Sequence, residues 1–406
     1  MKKNIFLITL VLVFFNINFC FSENLSKIII IKGKVLDEET GEGVAYANIG
    51  VVDTYIGNAS NFDGDFEVKI PRKYKDKILQ VSAVGYKTFY KKISEIDEKN
   101  FFTVKLFPKS YKIESVEIVS KSKVYMKMLK TAIKKLNENY LQTAFNYDIY
   151  YKEEKKINDK IDRVRQAAVK LYDANGYTRG NSYRVFKERS YKFLQVKKNF
   201  DSKNSLISGT TKLDDLLEMD IVRIRANVLD SNHLRNYDFK LFEKTTYEDD
   251  TIWVIDYNLK EPSLNRTGDY YATEYKGKIY INQKDFAVVK NETFAKSSNY
   301  SKLGRSFYVN EKRQTWKPIS IEYDFTVIYK KHKKNYYLSY VNYNRHHIFE
   351  NKKNSKKKTE NLQTEMIINK ITTTNVQVIQ KRSYYENIKY NKKFWENYNY
   401  LLDKKN

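Results

Sequence analysis

The chain has 406 residues, with 74 Lys plus Arg against 49 Asp plus Glu, a formal net charge of +25 and 41% hydrophobic residues. That length allows two or three domains with sizeable cores, and that hydrophobic share excludes wholesale disorder. A single Cys excludes a disulfide framework and any Cys-based zinc site; only 14 of the basic residues are Arg, which argues against a base-reading surface, because Arg supplies the bidentate contacts to guanine and phosphate.

Residues 1–22 read as a secretory signal peptide. Lys2 and Lys3 form a positive start, Ile5 to Phe15 is an apolar run broken only by Thr9, and Cys20-Phe21-Ser22 puts small residues at −3 and −1 of a cleavage site. The run is short of the roughly 20 residues that span a bilayer. Ile17-Asn18-Phe19 lacks the small residues that a lipoprotein site at Cys20 prefers. No later segment is apolar enough to span, so no transmembrane helix is expected in the mature chain. Export also removes nucleic acid as a partner.

Residues 27–119 alternate as short strands. Ile28–Asp37 reads as a strand, followed by a turn at Glu39–Gly43 and a second strand from Ala45 to Val52. Asp63-Gly64 signals a hairpin, and Phe66, Val68 and Ile70 alternate with Glu67 and Lys69. Leu79–Ala83 and Phe102–Leu106 follow. Turn signals about every ten residues predict a small β-sandwich. Asp53, Asp63 and Asp65 lack the regular spacing of a calcium loop and read as turn formers.

Gly33-x-Val35-x-Asp37, Gly41-Glu42-Gly43-Val44-x-x-Ala47-Asn48-Ile49, Asp63-Gly64-x-Phe66 and Leu79-x-Val81-Ser82-x-x-Gly85-Tyr86 together resemble the carboxypeptidase-like regulatory domain of exported Bacteroidetes-type proteins. The resemblance implies a seven-stranded transthyretin-like (prealbumin) sandwich without catalytic residues. Gly57–Asn61 departs from the family's usual turn, and Ser115–Val119 resembles its closing strand.

Residues 122–141 read as a bridging helix. Tyr125, Met128, Leu129, Ala132, Ile133, Leu136 and Tyr140 fall on one stripe, with five Lys off it. The modest stripe favours docking on a core over lying on a membrane surface. Residues 142–406 are dominated by period-2 segments and predict a larger antiparallel β domain. Lys278–Ile281 and Phe286–Val289 read as a hairpin. Ile319, Ile321, Tyr323, Phe325, Val327 and Tyr329 mark one face of a long strand, and Ser320, Glu322, Asp324 and Thr326 the other. Leu213, Leu216 and Leu217 mark the inner side of a short helix. Phe394-Trp395-x-x-Tyr398 reads as an aromatic tail packed back on the sheet. This part is similar to uncharacterised exported proteins that join the regulatory-like domain to a β-rich domain, and at fold level to the open half-barrels of lipoprotein carriers.

No nucleophile elbow, H-E-x-x-H, Walker A or dinucleotide motif occurs; Ser306 lacks the closing Gly of the first. His347-x-x-Glu350 fits half of a carboxypeptidase metal site, but the four His are His233, His332, His346 and His347, so no third ligand follows downstream. No catalytic, cofactor-binding or metal residue is assigned, and no cofactor is implied. The 35 Tyr and 23 Phe read as sheet packing rather than a sugar platform. Lys352, Lys353, Lys356, Lys357 and Lys358 form the densest basic loop, the candidate contact for anionic envelope material.

The fold expected is mainly β: a seven-stranded transthyretin-like sandwich, a linking amphipathic helix and a larger antiparallel, half-barrel-like sheet. The function expected is a non-catalytic exported cell-envelope protein, periplasmic or peripherally associated with the outer membrane. It binds or scaffolds an envelope protein or amphiphile. The alternative is a periplasmic carrier of a hydrophobic or amphiphilic ligand, which predicts an apolar cavity on the concave side of the large sheet. An enzyme acting on envelope glycans is the third reading.

Overall fold

The computed structural model describes residues 27–111, 122–178, 189–202, 211–225, 227–261, 272–297, 315–380, 385 and 388–403. The signal-peptide segment, the strand expected at 115–119 and Ser306 lie outside them.

Seven short strands build the first module: β1 (Ile28–Asp37), β2 (Asn48–Val51), β3 (Gly57–Ala59), β4 (Asp65–Pro71), β5 (Ile78–Ser82), β6 (Phe89–Lys92) and β7 (Phe102–Leu106). They form two sheets, β4-β1-β7 and β3-β2-β5-β6. The alternating apolar residues of both sheets, among them Ile31, Val35, Ile49, Val68, Val81 and Val104, meet in one core. The turn before β4 is held by Asn61, whose Oδ1 accepts from Asp63 N (3.0 Å) and Asp65 N (2.8 Å). Gly64 sits there at φ 84°, and a Cβ on it would meet Val35 O at 2.4 Å, so the Asp-Gly signal reflects a real backbone demand.

β8 (Ser110–Tyr111) leaves the sandwich and pairs with β12 (Tyr237–Tyr247) at the edge of the second module. The other strands of that module are β9 (Phe145–Ile157), β10 (Lys160–Asp173), β11 (Arg189–Asp201), β13 (Asp250–Leu259), β14 (Glu274–Asn282), β15 (Val288–Ser297), β16 (Trp316–His332), β17 (Asn335–Asn351) and β18 (Lys357–Thr372). Their order is β11-β10-β9-β18-β17-β16-β15-β14-β13-β12-β8, antiparallel throughout. Among the described residues no pairing of β11 with β8 or β12 closes it, so the sheet they form is open rather than a barrel.

One face of the sheet is covered by helices. In α1 (Ser122–Asn139) Leu129, Ala132 and Leu136 are buried, with Tyr140 just beyond its end. The Tyr140 hydroxyl donates to Val288 O at 2.5 Å. The helix thus docks on the core, as its stripe predicts, and its Lys residues stay outside. Two short helices, α2 (Leu213–Glu218) and α3 (Ile221–Ile224), pack beside it through Leu213, Leu216, Leu217 and Val222. Arg189 pins this segment to the sheet. It reaches Asp173 at 2.7 Å and Asp220 at 2.9 Å, while Tyr329 donates to Asp220 at 2.8 Å. Tyr323, Phe325, Val327 and Tyr329 of β16 and many other aromatic side chains fill this helix face. No helix among the described residues is long and apolar enough to cross a membrane.

The opposite face carries the sandwich over part of its area. Tyr46 stacks on Tyr340, and Ala59 joins Tyr150, Ala168, Tyr340 and Ile367 in a separate apolar cluster. The C-terminal tail is wedged into this seam. In α4 (Lys392–Asn397) Trp395 is buried. Lys69 of the sandwich donates to Trp395 O at 2.7 Å and Tyr398 O at 3.0 Å. Asn58 donates to Tyr400 O at 2.9 Å, and Asn399 accepts from Lys69 N at 2.8 Å. The aromatic tail therefore packs on the sheet, as expected, and on the sandwich as well.

Candidate functional site

Beside the sandwich, this face carries a trough built by strand register. One cross-strand row runs Lys240, Asp256, Lys278, Glu292, Thr326; the next runs Asp238, Asn258, Lys276, Phe294, Asp324, Asn344. The period of two puts all of these side chains on one face. Between them lies a cavity of about 880 Å³ whose accessible lining is mostly carbon. Phe294 and the aliphatic stems of the lysines contribute carbon to that lining. Lys278 Nζ sits 3.3 Å from the ring centroid of half-exposed Phe242, and Lys276 Nζ 5.2 Å from that of Phe294.

A second hollow of about 410 Å³ continues the trough and shares Phe294 and Asp324 with it. Glu322, His346, Asn361 and Lys156 form its row. His346 Nδ1 and Asn361 Oδ1 are hydrogen-bonded at 2.5 Å. The hollow ends at Asp159, on the turn between β9 and β10.

The carboxylates of the trough differ. Burial pushes Asp256 up, against the pull of Lys278 and Lys240. Burial also pushes Asp324 up, although Asn344 donates to it at 2.8 Å. Burial alone would raise Glu292 as well, but Lys290 at 2.6 Å and the Tyr280 hydroxyl at 2.8 Å outweigh it and hold Glu292 below the usual range. The trough thus holds two carboxyls raised by burial, Asp256 and Asp324, and one held low by its lysine and tyrosine neighbours, Glu292.

The lysine loop forms the turn between β17 and β18. Asn351 accepts from Lys353 N at 2.9 Å, and Asn354 accepts from Lys356 N at 3.2 Å. Lys352, Lys353, Lys356 and Lys357 are exposed. Lys358 turns back, pairing with Glu360 at 2.8 Å and lying over the Trp316 and Phe349 rings. Four of the five lysines therefore project together and the fifth does not.

The histidines are dispersed. His346 is in the second hollow, His332 stacks on Tyr55 at 3.9 Å in the seam, and His233 lies beside Asn236. His347 is buried on the helix face, and burial with the nearby Arg345 pushes it down to about 2. Because β17 is extended, His347 and Glu350 fall on opposite faces, so the H-x-x-E spacing does not bring them together. Among the described residues no group of three His, Cys, Asp or Glu could hold a metal ion.

Sequence reasoning did not find the trough. It placed Glu322, Asp324 and Thr326 on one face of β16, but the rows that join them to Lys278 and Phe294 depend on register across five strands.

The two-sheet sandwich, with Gly64 at its left-handed turn, is the observation that bears on family. Residues 31–119 match the family model of the CarboxypepD_reg-like domain. The match takes in strands β2 to β7 and all but the first three residues of β1. Among solved structures, the chain is similar to an outer membrane lipoprotein-sorting protein domain from Vibrio parahaemolyticus (TM-score 0.27, 10% identity, 62% of this chain and 94% of that one). It is also similar to a LolA superfamily protein from Nitrosomonas europaea (TM-score 0.19, 12% identity, 63% and 94%). No curated protein matches the chain.

Proposed function

We propose that this is an exported, non-catalytic binding protein of the cell envelope, and that the trough beside the sandwich holds an amphiphile. The observation that carries this reading is the contrast between floor and edge. A cavity of about 880 Å³ with a mainly carbon lining is fringed by alternating Lys and carboxylate side chains. Such a site takes an apolar body on Phe294 and the lysine stems, and a polar head at the fringe. Lysines and carboxylates alternate along the first row, an arrangement that can pair with a dipolar or charged head. Tyr and Phe side chains occupy the helix face, so the open volume available to an amphiphile lies on the sandwich face. An apolar cavity on the helix-covered side, as a half-barrel carrier would have, is ruled against by that aromatic filling, so the proposed amphiphile site is a different one.

The test uses delipidated protein and a fluorescent lysophospholipid as probe. Saturable binding is expected, with loss in Phe294→Glu at unchanged thermal stability. Equal binding by the variant, or none by the wild type, overturns the reading. Mass spectrometry of organic extracts from protein purified out of envelope fractions identifies the natural head group.

A further inference from the structure

We propose that the rim formed by the β17–β18 and β9–β10 turns docks the protein on an anionic lipid bilayer. The two turns are one structural unit: Asn158 N donates to Thr359 O at 3.0 Å, and Thr359 N donates to Asn158 Oδ1 at 2.9 Å. Lys352, Lys353, Lys356 and Lys357 project from one turn and Lys160 from the other, all exposed and without a carboxylate partner among the described residues. Their neighbours are arranged differently. Lys317 is taken by Glu350 at 3.5 Å, Lys155 by Glu360 at 3.4 Å, and Lys156 by Glu154 at 2.9 Å. The carboxylates near the rim are thus largely neutralised by lysines further in, and Asp159 is the acid left at the tip. The rim presents net positive charge that no internal contact consumes.

Charge alone would suit any polyanion. The apolar residues choose the bilayer. Ile161, the residue after Lys160, is 48% exposed, and Phe200 on the edge strand β11 is 46% exposed. Trp316, beside the Lys352 turn, is half-buried under Lys358. Lysines that reach phosphates while neighbouring apolar side chains enter the headgroup layer are the usual chemistry of peripheral membrane binding. The second hollow ends at Asp159 on this same rim, so docking would bring the trough's mouth to the lipid surface. The docking itself does not require that the trough bind an amphiphile.

The experiment is co-sedimentation of the purified protein with phosphatidylcholine vesicles, with and without phosphatidylglycerol. Binding is expected only with phosphatidylglycerol, and is expected to fall as salt rises. Reversing Lys352, Lys353, Lys356 and Lys357 to Glu is expected to weaken it about tenfold or more. Ile161→Ser should keep the salt dependence and lower the plateau. A control reverses Lys123, Lys127, Lys130 and Lys134 on exposed positions of α1, an equal change of net charge elsewhere. Equal loss in that control, unchanged binding by the rim variant, or binding to a soluble anionic polysaccharide but not to vesicles overturns the proposal. Circular dichroism confirms that each variant is folded. Lysophospholipid binding in the trough is measured separately on the rim variant, so the two readings fail independently.

Discussion

Tyr46 of the sandwich lies flat against Tyr340 of the large sheet, with ring centroids 4.5 Å apart and planes 22° apart. Tyr340 donates to Glu365 at 3.0 Å, and Glu365 is buried and pushed up by that burial. The stack covers a carboxyl that would otherwise face the seam. A double-mutant cycle on Tyr46→Ala and Tyr340→Ala, followed by urea denaturation, is expected to give a coupling of about 0.5–1.5 kcal/mol. A coupling near zero would mean that the two rings are merely adjacent.

The tail acts as a strap. Trp395 is buried between the modules, and its backbone carbonyl accepts from Lys69. Trp395→Ala is expected to cost about 3–5 kcal/mol if the seam unfolds with the rest. It should also make the sandwich separable by limited proteolysis. Protease resistance equal to wild type would show that the tail decorates the seam without holding it.

Gly277 exists to let Tyr257 pass. A Cβ there would meet Glu292 O at 1.9 Å and the Tyr257 hydroxyl at 2.4 Å. The Tyr257 hydroxyl reaches across to Glu292 O at 3.0 Å and Thr293 Oγ1 at 2.6 Å. Gly277→Ala should therefore destabilise by about 1–3 kcal/mol and distort the trough floor. Calorimetry and the lysophospholipid assay read the two effects. The paired change Gly277→Ala with Tyr257→Phe should not recover stability, because Glu292 O and the ring carbon still meet the added Cβ.

Two groups give opposite pH slopes. His347 is held at about 2 when folded, against 6.5 for an ordinary His, so the folded state binds fewer protons than the unfolded and its contribution is lost as pH falls below 6.5. Burial raises Glu248, which sits near Lys330 in the seam, to about 7 from 4.5, so the folded state binds more protons and its contribution grows as pH falls from 7. Between pH 4.5 and 6.5 these two effects offset each other. Glu248→Gln should expose the His347 slope, a loss of about 1.4 kcal/mol per pH unit. Denaturant titrations at several pH values measure it; an unchanged slope would remove Glu248 from the seam's titration.

The sequence carried the local structure well and the long-range structure poorly. Leu213, Leu216 and Leu217 announce a helix and its inner side, and the alternation from Ile321 to Tyr329 announces which face of β16 is buried, because both signals depend only on neighbours in the chain. The Asp63-Gly64 turn is legible for the same reason. The trough is not, since Phe294 and Asp324 become neighbours only through register. Lys69 looks like any strand lysine until the tail wraps its ammonium group. Of the lysine loop, composition predicted the cluster, and only the fold separates Lys358 from the four that project.

The seam also sets an order of events. Asn58 is joined to Tyr400 across 342 positions of chain, so the tail's share of the seam forms only after the large sheet between them has been made. A chain synthesised from its N-terminus can fold the sandwich early, from local strands. The β8–β12 pairing and the Tyr46–Tyr340 stack can set that sandwich against the sheet before the tail arrives, and the tail then seals the seam. Until then the part of the seam that Trp395 and Leu401 fill beside Tyr150 stays open, and a chain stopped shortly before Lys392 would carry an unsealed, adhesive seam between its modules.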